Sequence, residues 1–350
     1  IYAMAAHDDL GSLVEQSAIT LVGSHWCFVS PKSFTEACFS VPAVRALKHF
    51  SPNAKIAVLC PESQLSLWQY GLDEIEWVID YEDGASASKI VTVLEAGSVR
   101  FDSAILWETG CAAKAVCKLD VGQRVGYAYG ELEPLVTDSI AIDSQPGPIE
   151  HRVRHYLGLI DQLGADAFVR SSFQKPSLPV APAQTKIAIA PFSVYGGSHQ
   201  WPAERFLKVI ELIEQRHSEV SWVLYGHEPK SSKQGMEVFG SLLGQDNFNL
   251  DNSADVDVFA ALAQSSALLA CDGEVAHMAA HVGLPATVIF GPNSPEWRRP
   301  LGKQSVVVRE HVACSPCFKS KCPLDFRCQT EVSIEAVVES LELVMGQRGS

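Results

Sequence analysis

The feature that most constrains this fold is an alternation of short apolar runs and helix-like segments, which occurs twice along the chain. In the first half, apolar runs such as 55–60 and 103–107 alternate with helix-like segments such as 39–49. In the second half the alternation restarts at 186–190 and continues to 286–290. Strands separated by helices indicate parallel β-α-β units, so each half predicts a doubly wound α/β sheet.

A proline-rich segment marks the boundary between the halves. Residues 175–182 read KPSLPVAP, and proline both lacks a backbone donor and restricts its neighbour, so an extended linker is expected. We therefore predict an N-terminal domain over 1–174, a linker over 175–185 and a C-terminal domain over 186–332. A final amphipathic helix within 333–350 is predicted to pack back toward the N-terminal domain.

Composition excludes several classes of protein. Hydrophobic residues make up 47% of the 350 residues and charged residues 19%, which is typical of a globular protein rather than a disordered one. The net charge of -14 argues against nucleic acid as a partner, because like charges repel. No apolar run reaches the roughly 20 residues of a membrane span, and no secretory signal is recognisable. We expect a cytoplasmic protein, with only peripheral membrane contact through a local basic patch.

Several motifs resemble glycosyltransferase family 9, the heptosyltransferases. They occur in both halves and in the family's order, over roughly residues 26 to 345. In the first half the segment PKSFTE at 31–36 precedes VPAVRAL at 41–47. In the second half APFS at 190–193 and SHQWPAERF at 198–206 come first. They are followed by DGEVAHMAA at 272–280, GLP at 283–285 and FGPNSP at 290–295.

The resemblance implies a GT-B fold, in which two Rossmann-like domains face each other across a cleft. It implies transfer of a sugar, typically heptose, from a nucleotide-sugar donor, typically ADP-heptose. The acceptor is typically a lipid-linked saccharide of the lipopolysaccharide core, at the inner face of the cytoplasmic membrane. Transfer inverts the anomeric configuration, and the family needs no cofactor or metal for catalysis.

Inverting transfer needs a base that takes the proton of the acceptor hydroxyl. The family places an aspartate six residues before the proline of its first helix, and Glu36 occupies that position here. Glutamate keeps the carboxylate and extends its reach by one methylene. We predict Glu36 as the catalytic base, against the alternative of a glutamate that only complements a helix dipole.

The leaving diphosphate needs hydrogen-bond donors, which the resemblance assigns to loops of the second half. Departures from the family pattern occur at Phe192 for glycine, where the ring should restrict close approach of a ligand, and at His199 for lysine. They also occur at Gly273 for serine or threonine and at Glu274 for glycine. The predicted diphosphate-binding residues are Ser193, His199, Asp272, Gly273, Glu274 and His277. Surface or core histidines are the alternatives for His199 and His277.

Two further sets of contacts are predicted. Gly226 and Glu228 follow a strand that faces the nucleotide, and a carboxylate there can accept both ribose hydroxyls. The cations Lys32, Arg45 and Arg124 are candidates for binding a phosphorylated acceptor, and solvated surface cations are the alternative. Arg298 and Arg299 could also meet phosphate.

Four cysteines cluster near the end of the chain, at C-x2-C-x4-C-x5-C spacing. Close cysteine pairs often bind zinc, so a structural zinc site is predicted, with an iron–sulfur cluster, disulfides or free thiols as alternatives. The cluster consists of Cys314, Cys317, Cys322 and Cys328.

Three alternatives to a heptosyltransferase remain open at this level. A family member could use another nucleotide-sugar, because the departures lie in the donor loops. The same departures are compatible with a catalytically silent GT-B binding module. A redox protein built on the cysteine cluster is the third alternative.

Overall fold

The computed structural model describes residues 19–97, 99–142, 149–225, 237–243, 245–251 and 255–349. Two six-stranded parallel sheets dominate it, as the repeated alternation predicts. The strands of the first sheet are β1 (His25–Val29), β2 (Lys55–Pro61), β3 (Trp77–Tyr81), β4 (Ser103–Leu106), β5 (Gln123–Tyr127) and β6 (Asp138–Ile140). Those of the second are β7 (Thr185–Ala190), β8 (Val220–Tyr225), β9 (Phe248–Asp251), β10 (Ala267–Cys271), β11 (Ala286–Phe290) and β12 (Ser305–Arg309).

Both sheets have the same strand order. The first runs β3-β2-β1-β4-β5-β6 and the second β12-β11-β10-β7-β8-β9, so each starts at its centre and winds outward in both directions. This is the doubly wound Rossmann topology, and the pair of sheets confirms the predicted α/β GT-B fold. Ligands of such sheets bind beyond the carboxyl ends of the two central strands, where the order reverses. Those points lie between β1 and β4 and between β7 and β10.

The helices pack on the faces of the sheets. The longer ones are α1 (Phe34–Phe50), α3 (Ala87–Ala96), α4 (Cys111–Lys118), α5 (Val153–Gln162), α6 (Ala203–Arg216), α7 (Asp255–Ala263), α8 (Glu274–Val282) and α11 (Ile334–Met345). Short helices are α2 (Leu65–Gln69), α9 (Pro295–Arg298) and α10 (Arg327–Thr330). No helix of the described residues is both long and apolar enough to cross a membrane.

Helix α1 lies between the two domains and is buried on almost all sides. Every residue from 34 to 47 except Glu36 is buried. The helix packs against α5 on the first-domain side and against α8 on the second. A helix that is apolar all round is stable only when it is covered all round, and the second domain completes that cover. The single charged residue of its first turn, Glu36, therefore faces the junction between the domains.

The predicted packing of the C-terminal helix is wrong. Helix α11 packs against α6 and against β10, β11 and β12, which all belong to the second domain. Its apolar stripe of Val337, Val338, Leu341 and Val344 joins the core of that domain. Helices α6 and α11 lie side by side on the same face of the second sheet, so burial of the stripe needs no return to the first domain. The domain boundaries themselves stay a prediction, and the two sheets lie on either side of the predicted linker.

Candidate active site between two Rossmann-like domains

The reversal point of the first sheet opens into a cavity. It has a volume of about 460 Å³ and lies beyond the ends of β1 and β4. Its charged lining residues are Lys32, Lys114, Asp83, Glu108 and Glu131. Two cations against three carboxylates do not make a strongly basic pocket. Such a mixture suits the hydroxyl groups of a saccharide better than a cluster of phosphates.

A buried polar network fixes the loop between β1 and α1. The Ser30 hydroxyl donates to Oε1 of Gln64 over 2.6 Å and accepts from the indole N–H of Trp68 over 3.0 Å. The Gln64 amide then donates to the backbone carbonyls of Pro31 and Lys32. Because these side chains are buried and paired, they hold the loop that leads into α1 and so position Glu36.

Three side chains hold the Glu36 carboxylate. Arg152, just before α5, donates from Nη2 to Oε2 over 3.0 Å. The hydroxyl of Tyr156 on α5 donates to the same oxygen over 2.7 Å. Arg298 on α9 donates from Nη2 to Oε1 over 3.1 Å, from the other domain. Only 16% of the Glu36 side chain is exposed, so these contacts replace most of its water.

The environment of Glu36 keeps its carboxylate ionised. Burial by itself raises the pKa, since it penalises the charged form. The charge and hydrogen bonds of Arg152, the hydroxyl of Tyr156 and the charge of Arg298 outweigh burial, and the pKa lies below its ordinary value. Burial and the adjacent carboxylate raise the pKa of the Tyr156 hydroxyl, so tyrosine remains the donor of this pair.

Residues of the second domain close over this cluster. The guanidinium of Arg298 lies over the ring of Tyr195, 5.2 Å from its centroid. The Tyr195 hydroxyl hydrogen-bonds that of Thr35, next to Glu36 on α1. Further along, the backbone N–H of Arg152 donates to the carbonyl of Trp297 over 2.9 Å. The two domains therefore meet directly at the carboxylate.

The reversal point of the second sheet is filled by polar side chains. The Ser193 hydroxyl, after β7, donates to the Asp272 carbonyl, after β10, over 2.6 Å. The Asp272 carboxylate accepts from Asn293, and Nδ1 of His199 lies 3.4 Å from the same oxygen. These four residues are between 1% and 5% exposed. Oδ1 of Asp272 is buried with no partner among the described residues.

Gly273 allows this loop to pack closely. A Cβ added there would lie 3.2 Å from the carbonyl oxygen of Phe192. The Phe192 ring turns into the core of the second domain and packs edge-on to Phe239, so it does not restrict approach to the loop as expected from sequence. Glu274 begins α8, where a carboxylate complements the helix dipole. Together with burial, the main cause, its negative charge also contributes to raising the pKa of the Tyr195 hydroxyl.

His277 packs at the interface between α8 and α1. It is 2% exposed, packs edge-on to Phe39 of α1, and has no hydrogen bond from either ring nitrogen to a described residue. Burial first, and then the nearby cations Arg298, His151 and Lys175, lower its pKa to about 3. A neutral histidine facing α1 contributes to the domain interface, and its predicted role at the diphosphate stays a prediction.

Two of the predicted acceptor contacts, Arg45 and Arg124, lie outside the cavity beyond β1 and β4. Arg45 is buried, lies 3.3 Å from Glu74 and donates to the carbonyl of Gly71. Arg124 donates to the carbonyls of Val121 and Leu135, and so braces its own domain. Both guanidinium groups are used in local structure, so only Lys32 of this set lines the cavity. The predicted nucleotide contacts Gly226 and Glu228 lie outside the described residues.

The cysteine loop packs against the loops of the second reversal point. Backbone N–H groups of Cys317 and Phe318 donate to the Pro292 carbonyl, next to Asn293. The Ser198 hydroxyl donates to the Lys319 carbonyl, and Gln329 donates to the Ser198 carbonyl. The loop therefore braces the segments that carry His199 and Asn293.

The four cysteines of this loop are free thiols that lie near one another. Burial, followed by the charges of the other three thiols, raises the pKa of Cys328 to about 11. Backbone N–H groups of Leu324 and Phe326 both donate to Sγ of Cys322 over 3.4 Å. Within the described ranges, however, no three His, Cys, Asp or Glu side chains are arranged to hold a metal ion.

Sequence reasoning missed the partners of Glu36 and Asp272. Arg152 and Tyr156 lie more than a hundred residues from Glu36, and no motif near them suggests a site. A signal did exist for Asn293, within the FGPNSP motif, and for Tyr195, in the loop after β7.

The family model for glycosyltransferase family 9 (heptosyltransferase) matches residues 98–326. Among solved structures, E. coli ADP-heptose lipopolysaccharide heptosyltransferase II is similar, with a TM-score of 0.76 and 18% identity over 93% of this chain and 100% of that one. A family 9 glycosyltransferase from Veillonella parvula has a TM-score of 0.78 and 15% identity, over 94% of this chain and 99% of that one. E. coli heptosyltransferase WaaC with ADP has a TM-score of 0.68 and 16% identity, over 91% of this chain and 99% of that one. No curated protein sequence matches the chain.

Proposed function

The chain belongs to glycosyltransferase family 9, and on that premise we propose that it is an inverting transferase that moves heptose from an ADP-sugar to a saccharide acceptor. The observation that carries this proposal is the ionised Glu36 carboxylate at the junction of the two domains. A cavity of about 460 Å³ lies on one side of the junction, and the loops after β7 and β10 lie on the other. An enzyme of this class needs those three parts together.

In the proposed reaction, the acceptor hydroxyl attacks the anomeric carbon of the donor. The new carbon–oxygen bond forms on the face opposite the diphosphate, so the configuration inverts. The bond to the diphosphate breaks, and its electron pair leaves with ADP. The hydroxyl proton passes to the Glu36 carboxylate, which therefore has to be ionised at the start of the step.

The leaving diphosphate is proposed to bind at the second reversal point. Backbone N–H groups of Gly273 and Glu274 at the start of α8, together with the Ser193 hydroxyl, supply donors there. His199 and Asp272 would position this loop through their contact. Donor access requires this region to open, because Ser193, Asp272 and His199 are almost completely buried.

Arg298 connects the donor side with the base. In the absence of donor it neutralises Glu36, which makes the carboxylate a weak proton acceptor. A bound diphosphate would compete for Arg298, and its transfer to the phosphate would raise the pKa of Glu36 at the moment when a base is needed. The same residue would then stabilise the negative charge that develops on ADP.

The acceptor is proposed to occupy the cavity beyond β1 and β4, with Lys32 as its cationic contact. The acceptor class we propose is a lipid-linked saccharide of the lipopolysaccharide-core type, reached at the inner face of the cytoplasmic membrane. No catalytic cofactor is invoked. We keep the proposal of a structural zinc at the four cysteines, which would have to draw together to form a tetrahedral site. Metal analysis of the purified protein tests it, with Cys322→Ser as the comparison.

A catalytically silent binding module is the second candidate. The observation that favours it is the saturation of the Glu36 carboxylate by two arginines and a tyrosine. A family member with another nucleotide-sugar donor also remains compatible with the altered donor loops. A member with another donor predicts a different nucleotide preference, and the silent module predicts ligand binding without turnover.

Calorimetric titration with ADP, UDP, GDP and ADP-heptose tests the proposal. Selective binding of ADP and ADP-heptose by the wild type, weakened by Asp272→Ala, supports it. Preference for another nucleotide keeps the fold and replaces the donor. Binding of ADP-heptose without turnover on any saccharide acceptor favours the silent module, and binding of none of the four ligands would remove the argument for a donor site.

A further inference from the structure

A second large groove lies between the domains, apart from the cavity beyond β1. Its volume is about 950 Å³. One wall comes from the segments before and after α5, including His151 and Arg170. The other wall comes from α9, the turn that follows it and β12, including Arg299, Lys303 and Arg309. Both domains therefore contribute to a space that is large enough for more than a single small ion.

The groove is basic, although the whole chain carries a net charge of -14. Four arginine or lysine side chains line it, and Glu296 is its single carboxylate. Arg309 binds Glu296 through two hydrogen bonds, of 2.7 and 3.1 Å. Arg170, Arg299 and Lys303 make no side-chain hydrogen bond or ion pair with any residue that the structure describes. Three cations thus share one groove without a paired carboxylate among the residues that the structure describes.

We propose that this groove binds phosphate-bearing headgroups. Guanidinium groups match phosphate oxygens with paired donors, and cations supplied from two walls can contact one anion from both sides. The groove exceeds the volume of inorganic phosphate, which suits a phosphate attached to a larger group. A phospholipid of the membrane surface and a phosphorylated sugar share this chemistry, and the groove shares no lining residue with the cavity proposed for the acceptor.

The groove lies next to the two arginines that bind Glu36. Arg299 follows Arg298, which binds Glu36, and the Arg299 carbonyl accepts a hydrogen bond from Nε2 of His151 over 2.8 Å. His151 in turn precedes Arg152, the other arginine on Glu36. On each wall, therefore, one residue of the groove is the direct sequence neighbour of an arginine that binds Glu36. A headgroup in the groove would hold the enzyme at an anionic surface with the catalytic junction close to it.

Cosedimentation with lipid vesicles tests the proposal without requiring turnover, so it is independent of the proposed reaction. The full chain is mixed with vesicles of phosphatidylglycerol and phosphatidylcholine, or of phosphatidylcholine alone. The triple variant Arg170→Gln, Arg299→Gln, Lys303→Gln removes the unpaired cations. A matched variant, Lys89→Gln, Lys208→Gln, Arg216→Gln, removes three exposed cations elsewhere. Calorimetric titration with glucose 6-phosphate forms the second arm.

We expect binding to the anionic vesicles, weakened by roughly ten- to a hundredfold in the groove variant and little changed in the matched variant. Binding of glucose 6-phosphate alone, lost in the groove variant, would also support the groove and would identify a soluble phosphate as its ligand. Equal effects of the two triple variants would mean that only net charge matters, and would overturn the proposal. So would the absence of binding in both arms.

Discussion

The two reversal points of this molecule have the same topology and opposite characters. Beyond β1 and β4 lies an open, charged cavity of about 460 Å³. Beyond β7 and β10, Ser193 and Asp272 bond directly across the gap, and the side chains there are almost completely buried. Strand order brings the loops together in both domains, but the loop residues decide whether a space remains between them.

This difference divides the proposed work between the domains. The first can receive a saccharide as it stands, whereas the second has to part its contacts before a nucleotide enters. Glu36 and Arg298 lie where the two regions meet. Changes on the first side should therefore affect chemistry and acceptor use, and changes on the second should affect donor binding and stability.

The largest expected effect follows from removing the base. Glu36→Gln keeps the size of the side chain but cannot take a proton, so turnover of ADP-heptose should fall by roughly 10²- to 10⁴-fold. Affinity for ADP should not fall, because the proposed donor site lies in the other domain and a diphosphate there would no longer compete with the Glu36 charge for Arg298. Steady-state kinetics and calorimetry measure the two quantities. Glu82→Gln, which alters an exposed carboxylate, serves as control, and an equal loss of ADP affinity in Glu36→Gln would break the proposed division.

The next largest effect concerns stability at the closed reversal point. Gly196 has φ of +113°, and an added Cβ would lie 2.4 Å from the Ser320 carbonyl oxygen, so both strain and overlap oppose a side chain. Gly196→Ala should lower the free energy of unfolding by about 2 to 4 kcal/mol. Denaturant titration measures this change.

Two further glycine substitutions, one next to Gly196 and one at the open reversal point, test that comparison. Gly197→Ala meets no atom within 4 Å and should be nearly neutral. At the open reversal point, Gly110→Ala would meet only the flexible end of Lys32, which can move away, so its cost should stay below about 1 kcal/mol. If Gly110→Ala cost as much as Gly196→Ala, the contrast between an open and a closed region would be wrong.

The sequence predicted the architecture well because apolar periodicity is a local signal. Most strands and long helices begin and end within a few residues of their predicted bounds. Strands β6, β9 and β12 and helices α3 and α4 were not predicted. The polar three-residue strand β6 and the half-exposed strand β12 lack a fully buried apolar run. The direction in which helix α11 packs was also missed, because an amphipathic stripe identifies a buried face without identifying its partner.

The site was harder to predict because its contacts join distant segments. Family motifs brought Glu36, Ser193 and Asp272 into consideration, but Arg152 and Tyr156 belong to no motif and reach Glu36 only through the packing of α5 on α1. His277 matches its motif position, and its contact with Phe39 of α1 could not be predicted from that motif. Motif positions predict which loops form a site, whereas tertiary packing decides where each side chain points.

A smaller effect is expected from the residue that joins the two regions. Arg298→Gln removes one of the charges that lower the pKa of Glu36. The base acts when ionised, so kcat/KM falls as pH drops through that pKa, and in the wild type this occurs below the ordinary glutamate range. The variant should shift the acidic limb to higher pH, while Arg154→Gln, at an exposed pair, should leave it in place. An unshifted limb in Arg298→Gln would remove Arg298 from control of the base.

The stability contributed by the ion pair of Arg298 and Glu36 should depend on the same pKa of Glu36. Because the folded pKa of Glu36 is depressed, its ion pairs stabilise the fold above the ordinary glutamate pKa, and this contribution is lost as pH falls through the folded value. Arg298→Gln should therefore reduce the difference in free energy of unfolding between neutral and acidic pH. Unfolding curves of wild type and variant at both pH values measure it.

The smallest effect is expected at the open cavity, where Lys32 is the one predicted acceptor contact that lines it. A single exposed cation contributes modestly, so Lys32→Gln should raise the acceptor KM by about two- to tenfold and leave the ADP affinity unchanged. Arg124→Gln loses two hydrogen bonds to backbone carbonyls and should instead cost about 1 to 2 kcal/mol of stability, with the KM unaltered. Were Arg124→Gln to raise the KM and Lys32→Gln not, the acceptor would bind near β5, and the open cavity would lose its role in the comparison.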